Sequence, residues 1–411
     1  STAAGQAWRD VSPPGGFFDR VRAVEVDPAD VDHIVASNDV GLFESADGGS
    51  TWSQLDTTAL PGSAAALSLT MDGELIVGVT RALVAAPAAG RPVLYRRSGA
   101  AWVPFGPTVH RSPATSAVQW RAAQLAVGRG DPKLMALVVH EMGSFAFGAE
   151  LQYFLSDDGG VTWQQLLTGE EPGMWPARAY FQAVVKDDTV FVLGGQDFGL
   201  EENPFCALLD QGLEPPPGLG IDPDAPCPEF VPTSQFFNDV WSSTDGVVWE
   251  QLTEAAPWSG RAGLSAAVLG EHIYVFGGSQ NDDSSIIGEG GPARIYYNDV
   301  WRSTDGIEWE QTSESAPWEP RAGAAAVVQG DRLLLLGGED GFTCTPLPDC
   351  EAPYFNDVWS TTDGAEWELV TESAGWSPRP GHVCEGVGDQ IVCFGGFGLI
   401  TNPTDMWASP D

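Results

Sequence analysis

Positive charge is scarce in this chain. Its 411 residues include two lysines, Lys133 and Lys186, and 17 arginines against 57 aspartates and glutamates, a formal net charge of −38. A surface of that sign repels polyphosphates and anionic lipid, so no nucleic-acid partner is expected. Long apolar runs are missing too, so no membrane span is expected. Helical periodicity is rare. The chain has no G-x-S-x-G, no HExxH, no phosphate-cradling glycine loop and no dinucleotide fingerprint. Its five histidines, His33, His110, His140, His272 and His382, fall at no metal-ligand spacing. The reading leans away from an enzyme and requires no cofactor.

What is abundant is glycine (49) and proline (31), with 43% hydrophobic residues. That is the composition of a turn-rich all-β chain with a substantial core. Four segments align without gaps: RAYFQAVVKDDTVFVLGG (178–195), RAGLSAAVLGEHIYVFGG (261–278), RAGAAAVVQGDRLLLLGG (321–338) and RPGHVCEGVGDQIVCFGG (379–396). Each reads as two apolar strands, A and B, joined by a polar turn. Three more align downstream: NDVWSSTDGVVWE (238–250), NDVWRSTDGIEWE (298–310) and NDVWSTTDGAEWE (356–368). Each reads as a strand C, a tight Asp-Gly turn and a strand D. Four strands repeated at roughly 60 residues are the mark of propeller blades.

The Arg…Gly-Gly…Trp layout resembles kelch repeats. The Ser-x-Asp-Gly-x-x-Trp turns, fuller in SADGGSTW (45–52) and SDDGGVTW (156–163), resemble the Asp-boxes (BNR repeats) of sialidases and other secreted propellers. The resemblance implies a seven-bladed β-propeller of four-stranded antiparallel blades in one domain, 1–411. The blades are placed at about 16–60, 62–110, 115–170, 175–258, 259–318, 319–376 and 379–411. The seventh lacks its strand D. The segment GQAWRDVSPP (5–14) matches GIEWEQTSES (306–315), with Trp8 over Trp309, so it is expected to complete that blade and close the ring. The turn aspartates Asp47, Asp158, Asp245, Asp305, Asp363 and Asp411 read as structural acceptors of backbone N–H groups.

Six cysteines form three close pairs, Cys206 with Cys227, Cys344 with Cys350, and Cys384 with Cys393. Even number and local spacing predict disulfides, and with them an extracellular, periplasmic or cell-surface location. A chain beginning Ser-Thr-Ala-Ala-Gly fits a mature form after leader removal.

The extra residues sit between strands B and C, at about 196–236, 279–296, 339–355 and 397–403. These loops share one propeller face with the D–A connections, where function is expected. Those connections carry Trp175 with Arg178, Trp258 with Arg261, Trp318 with Arg321, and Trp376 with Arg379. The arginines are candidates for bidentate anion binding and the tryptophans for stacking on sugars. The alternative is an arginine that bridges blades. Tyr297 and Tyr354, with Phe236, Phe237, Tyr296 and Phe355, are candidates for an aromatic platform or for loop anchors. The acidic stretches 221–229 and 281–285 make calcium the candidate ion. The expected function is a secreted binding or scaffold propeller for a glycan or protein partner. A carbohydrate-active hydrolase or lyase on the same face, or a subunit of an extracellular assembly, are the alternatives.

Overall fold

The computed structural model describes residues 8–14, 21–27, 29–82, 91–109, 119–127, 131, 133–142, 151–165, 173–203, 230–281, 294–341, 354–387, 390–398 and 402–409. Among these residues the secondary structure is strand and turn, and no helix is long and apolar enough to cross a membrane. Among the described residues the strands form five four-stranded antiparallel sheets and one eight-stranded sheet in which blades two and three are joined by pairing of Gln119–Val127 with Leu75–Ala82, besides three two-stranded ribbons, the arrangement of a seven-bladed β-propeller. Blade one is Ala23–Asp27, Asp30–Ser37, Leu42–Ser45 and Ser53–Gln54. Blade two is Ser63–Leu69, Leu75–Ala82, Arg91–Ser98 and Ala101–Val109, although it lacks the Asp-Gly turn. Blade three is Gln119–Val127, Met135–Met142, Leu151–Ser156 and Gln164–Gln165. Blades four, five and six begin with strands Gln182–Lys186, Ser265–Leu269 and Ala325–Gln329 and end with Glu250–Thr253, Glu310–Ser313 and Glu368–Thr371.

Blade seven runs in the order His382–Val387, Gln390–Gly395, Met406–Ala408 and Arg9–Asp10. Arg9 pairs with Ala408 and Asp10 with Trp407, antiparallel. The Val11 N–H donates to the Met406 carbonyl at 2.8 Å, and the Met406 N–H donates to Ser12 Oγ at 2.9 Å. An edge that would otherwise stand open is thereby paired. By its contacts the chain divides into two compact units, one of Pro172–Pro403 with Ser1–Trp8 and Ser409–Asp411, the other of Arg9–Glu171 with Thr404–Ala408.

Strand alternation explains why the B strands are apolar throughout. Successive side chains point to opposite faces, and a B strand inside the stack has a neighbouring blade on each. In the first unit Ile273 and Val275 of blade five pack with Phe191 and Leu193 of blade four. The intervening Tyr274 and Phe276 pack with Leu333, Leu335 and Trp367 of blade six. In the second unit Val35 and Leu42 meet Val77 and Val79, and Val93 and Leu94 meet Leu137 and Val139. The A–B turns are tight. Lys186 pairs with Thr189 across Asp187 and Asp188, both in the left-handed region (φ 49° and 59°), as a type I′ turn requires.

The C–D turns are built alike. Ser243 Oγ accepts the Gly246 N–H at 2.8 Å, while Asp245 Oδ1 accepts those of Val247 and Val248, both at 2.8 Å. Asp305 and Asp363 repeat this, and Asp47 and Asp158 add a threonine hydroxyl at 2.7 and 2.6 Å. These donors hold all five carboxyls below the usual range, Asp158 at about 2. Asp411 lies outside the described residues, as do Cys206, Cys227, Cys344 and Cys350. Cys384 and Cys393 are register partners across strands A and B and form a disulfide.

Because residues 9–12 supply strand pairing and not a free tail, deleting residues 1–14 is expected to lower the thermal midpoint by several degrees. Calorimetry of the truncated chain showing an unchanged midpoint would refute closure.

Candidate functional site

The sequence singled out the arginines before each A strand, and the structure places them inside the blades. The side chains of Arg178, Arg261 and Arg321 are 0%, 0% and 1% exposed. Each forms a bidentate pair with the aspartate of its own Asn-Asp-Val-Trp strand. Arg178 Nη1 and Nη2 donate to Asp239 at 2.6 and 2.9 Å, Arg261 to Asp299 at 2.6 and 3.0 Å, and Arg321 to Asp357 at 2.6 and 3.0 Å. The same carboxylate accepts the indole N–H two residues on, from Trp241, Trp301 and Trp359. Nη1 also reaches the first carbonyl of the Gly-Gly pair, Gly194, Gly277 or Gly337. The ring just before Asn-Asp covers the guanidinium: Phe237 at 3.8 Å, Tyr297 at 4.0 Å and Phe355 at 4.0 Å.

The arginine backbone meanwhile holds the preceding blade. The Gly195 N–H donates to the Arg261 carbonyl at 2.9 Å, Gly278 to Arg321 at 2.8 Å and Gly338 to Arg379 at 3.1 Å. These glycines are left-handed (φ 99°, 95° and 105°), and a Cβ on Gly195 would come within 2.9 Å of the Ala179 carbonyl. No other residue type fits that crossing without strain.

The tryptophans are internal as well. Trp258, Trp318 and Trp376 are at most 2% exposed, and Trp175 is half-buried. Each meets the strand-D tryptophan edge to face: Trp175 with Trp249 (5.9 Å), Trp258 with Trp309 (6.0 Å), Trp318 with Trp367 (5.8 Å) and Trp376 with Trp8 (6.1 Å). Trp8 thus occupies in blade seven the place that Trp309 holds in blade five. The buried indole N–H groups of Trp175, Trp258, Trp318 and Trp376 have no hydrogen-bond acceptor among the described residues.

The expectation that Arg178, Arg261, Arg321, Arg379, Trp175, Trp258, Trp318 and Trp376 line an open mouth is therefore corrected. Each guanidinium meets fixed acceptors within its own blade; Arg379 bonds the Gly395 and Ser377 carbonyls and is 2% exposed. Tyr297 stacks on Arg261 and donates to Gln280 at 2.6 Å, and Tyr354 is 8% exposed, so neither forms an open platform. The signal that could have identified this module was in the repeats, since every Arg…Gly-Gly segment of blades four to six is followed by one Asn-Asp-Val-Trp. The calcium candidates 221–229 and 282–285 lie outside the described residues.

An open cleft is found in blade four. A cleft of about 340 Å³ is lined by Met174, Phe236, Asp239, Trp241, Gln251 and Glu254 among others. In the same blade Tyr180 adopts φ 55° and is 63% exposed. The equivalent residues in the next three blades are Gly263, Gly323 and Gly381, at φ 61°, 62° and 64°. A hydrogen-bonded backbone chain links all four: Gly381 donates to Gly323, Gly323 to Gly263, and Gly263 to the Tyr180 carbonyl.

Two histidines have opposite pH behaviour. Burial lowers the affinity of His33 for a proton, but hydrogen bonds to Asp27 and Glu44, both 3.0 Å, raise it on balance. His382 is buried against Trp376 with neither ring nitrogen conventionally bonded, and burial, aided by the Arg379 charge, lowers it to about 3.

Asp299→Ala leaves the Arg261 charge buried and is expected to cost about 3–5 kcal/mol, read from the urea midpoint. The double variant with Arg261→Met should lose less than the sum; additivity would refute the coupling. The His33 contribution is complete below pH 6.5, its ordinary value, and is lost as pH rises through the raised one. That of His382 is complete above pH 6.5 and is lost as pH falls toward 3. Denaturation series across pH should therefore flatten on the alkaline side for His33→Gln and on the acid side for His382→Phe.

Residues 231–396 match the KLHDC2/KLHL20/DRC7 Kelch-repeats domain. The chain is 31% identical over 155 residues to the dynein alpha chain of the flagellar outer arm of Chlamydomonas reinhardtii, covering 35% of this chain and 3% of that protein. It is 27% identical over 188 residues to Kelch domain-containing protein 1 of Homo sapiens, covering 41% of this chain and 45% of that one. It spans less than half the length of these curated relatives. Among solved structures, that of YjhT is similar at 15% identity and a TM-score of 0.46, covering 86% of this chain and 96% of its own. Residues 231–396 therefore carry repeats similar to those of kelch type, within a chain whose fold is an all-β propeller.

Proposed function

We propose that this chain is a binding propeller that takes a protein partner on the face carrying the B–C loops and D–A connections, outside the cell or at its surface. The observation that carries this reading is Tyr180. Non-glycine residues pay about 1–2 kcal/mol to adopt the left-handed conformation. Tyr180 does so at a position where three sister blades use glycine, and its ring stays in solvent. Strain held at an exposed aromatic is a mark of a contact residue, and tyrosine gives a large rigid surface at little entropic cost. The longest B–C insertion, about 196–236, rises from the same blade. A protein is favoured over a glycan because the tryptophans that would stack on sugar rings are buried. The kelch-type relatives point the same way, and the cross-strand disulfide supports the oxidising location.

Tyr180→Gly is expected to hold or raise stability, by up to about 1 kcal/mol, while weakening partner capture. The face is tested with a photo-crosslinking residue at position 180 and, as control, at Val248, which is 71% exposed on a C–D turn. With extracellular protein from the source organism, a discrete adduct should form from position 180 and not from 248. Equal labelling from both, or none from 180, would refute the assignment.

A further inference from the structure

We infer that the blade-four cleft receives the side chain of a lysine or arginine presented by a protein partner. This deepens the partner-binding reading and rests on it. The cleft, about 340 Å³, is large enough for one long side chain with some water. Its walls include Met174, Phe236 and Trp241, which suit a methylene stem. Met174 stands where the corresponding connections carry Pro257, Pro317 and Gly375, and its flexible thioether adapts to an inserted chain. The polar lining includes Gln251 and Glu254, both exposed.

Charge selects the occupant. Asp239 also lines the cleft, but Arg178 and the Trp241 indole already engage its oxygens. Glu254 has no ion-pair or hydrogen-bond partner among the described residues, so it carries the residual charge of the lining. From Asp187 to Gly260 the sequence holds 14 acidic residues and no lysine or arginine. An anion entering here would find the Arg178 guanidinium already neutralised by Asp239 and would face the Glu254 carboxylate. A purely apolar group would bury Glu254 without compensation. A cation on an alkyl stem satisfies both the rings and the carboxylate.

The probe is acetyl-Gly-Gly-Lys-Gly-Gly-amide, titrated calorimetrically into the full chain beside the norleucine analogue. The lysine peptide should bind saturably, about tenfold tighter than norleucine, and weaken as salt is raised. Glu254→Gln and Phe236→Ala should each weaken it about fivefold. Glu308→Gln, an exposed acid on the blade-five turn, should leave it unchanged. Equal binding of lysine and norleucine, or equal loss from Glu308→Gln and Glu254→Gln, would overturn the assignment, the latter revealing diffuse attraction only. If position 180 crosslinks a partner while the peptide fails to bind, the cleft assignment falls and the partner face stands. If the peptide binds with the expected variant pattern but position 180 gives no adduct, the cleft stands and the partner face falls.

Discussion

The buried arginine–aspartate pair is the interaction on which blades four to six depend. A guanidinium taken out of water is tolerable only with its charge compensated and its donors filled. Here a carboxylate takes two donors, backbone carbonyls take others, and an aromatic ring covers the plane. The side chain thereby ties strand A to strand C of its own blade. The carbonyl of the same residue receives the Gly-Gly N–H of the blade before. One residue thus fixes both the inside of a blade and its junction with the neighbour. The Gly-Gly pair is the necessary counterpart, because only a residue without Cβ can cross so close to that backbone.

Blades four to seven repeat a second device. A buried tryptophan before strand A meets a tryptophan at the start of strand D, edge to face. In blade seven the second ring is Trp8, some 370 residues away in sequence from Trp376 but only 6.1 Å from it in space. The closing blade therefore shares this tryptophan pair with blades four to six.

A scaffold that engages its arginines and tryptophans internally leaves little for recognition except where a blade departs from the repeat. Blade four departs in three ways. It replaces a left-handed glycine with Tyr180, a linker proline or glycine with Met174, and it carries the longest insertion. Met174 lines a cleft in which Glu254 has no partner among the described residues. Departures of this kind are where local rules give way to function.

Several levels of this protein were legible in the sequence. Gap-free repeats marked blades four to seven, and the Asp-Gly turns at 45–52 and 156–163 with the remaining chain length supplied the other three, because each blade must contribute four strands to bury its faces. The match of residues 5–14 to a strand D located the closure, since Trp8 falls where Trp309 does. Cys384 and Cys393 could be paired because they lie symmetrically about one tight turn. The environment of the arginines was not legible. The sequence gives a guanidinium beside a tryptophan, which suits an anion site and an internal clamp equally well. What distinguishes them is a partner 36–61 residues away, brought to 2.6 Å only when strand C folds beside strand B. The strain at Tyr180 was hidden for the same reason, since φ at one residue is imposed by the backbone hydrogen bonds of the neighbouring blade. By itself the sequence determined the repeat, its count and its closure, because those follow from local pattern; only the tertiary structure decided which polar groups are internal and which face solvent, because burial and pairing arise between segments far apart in the chain.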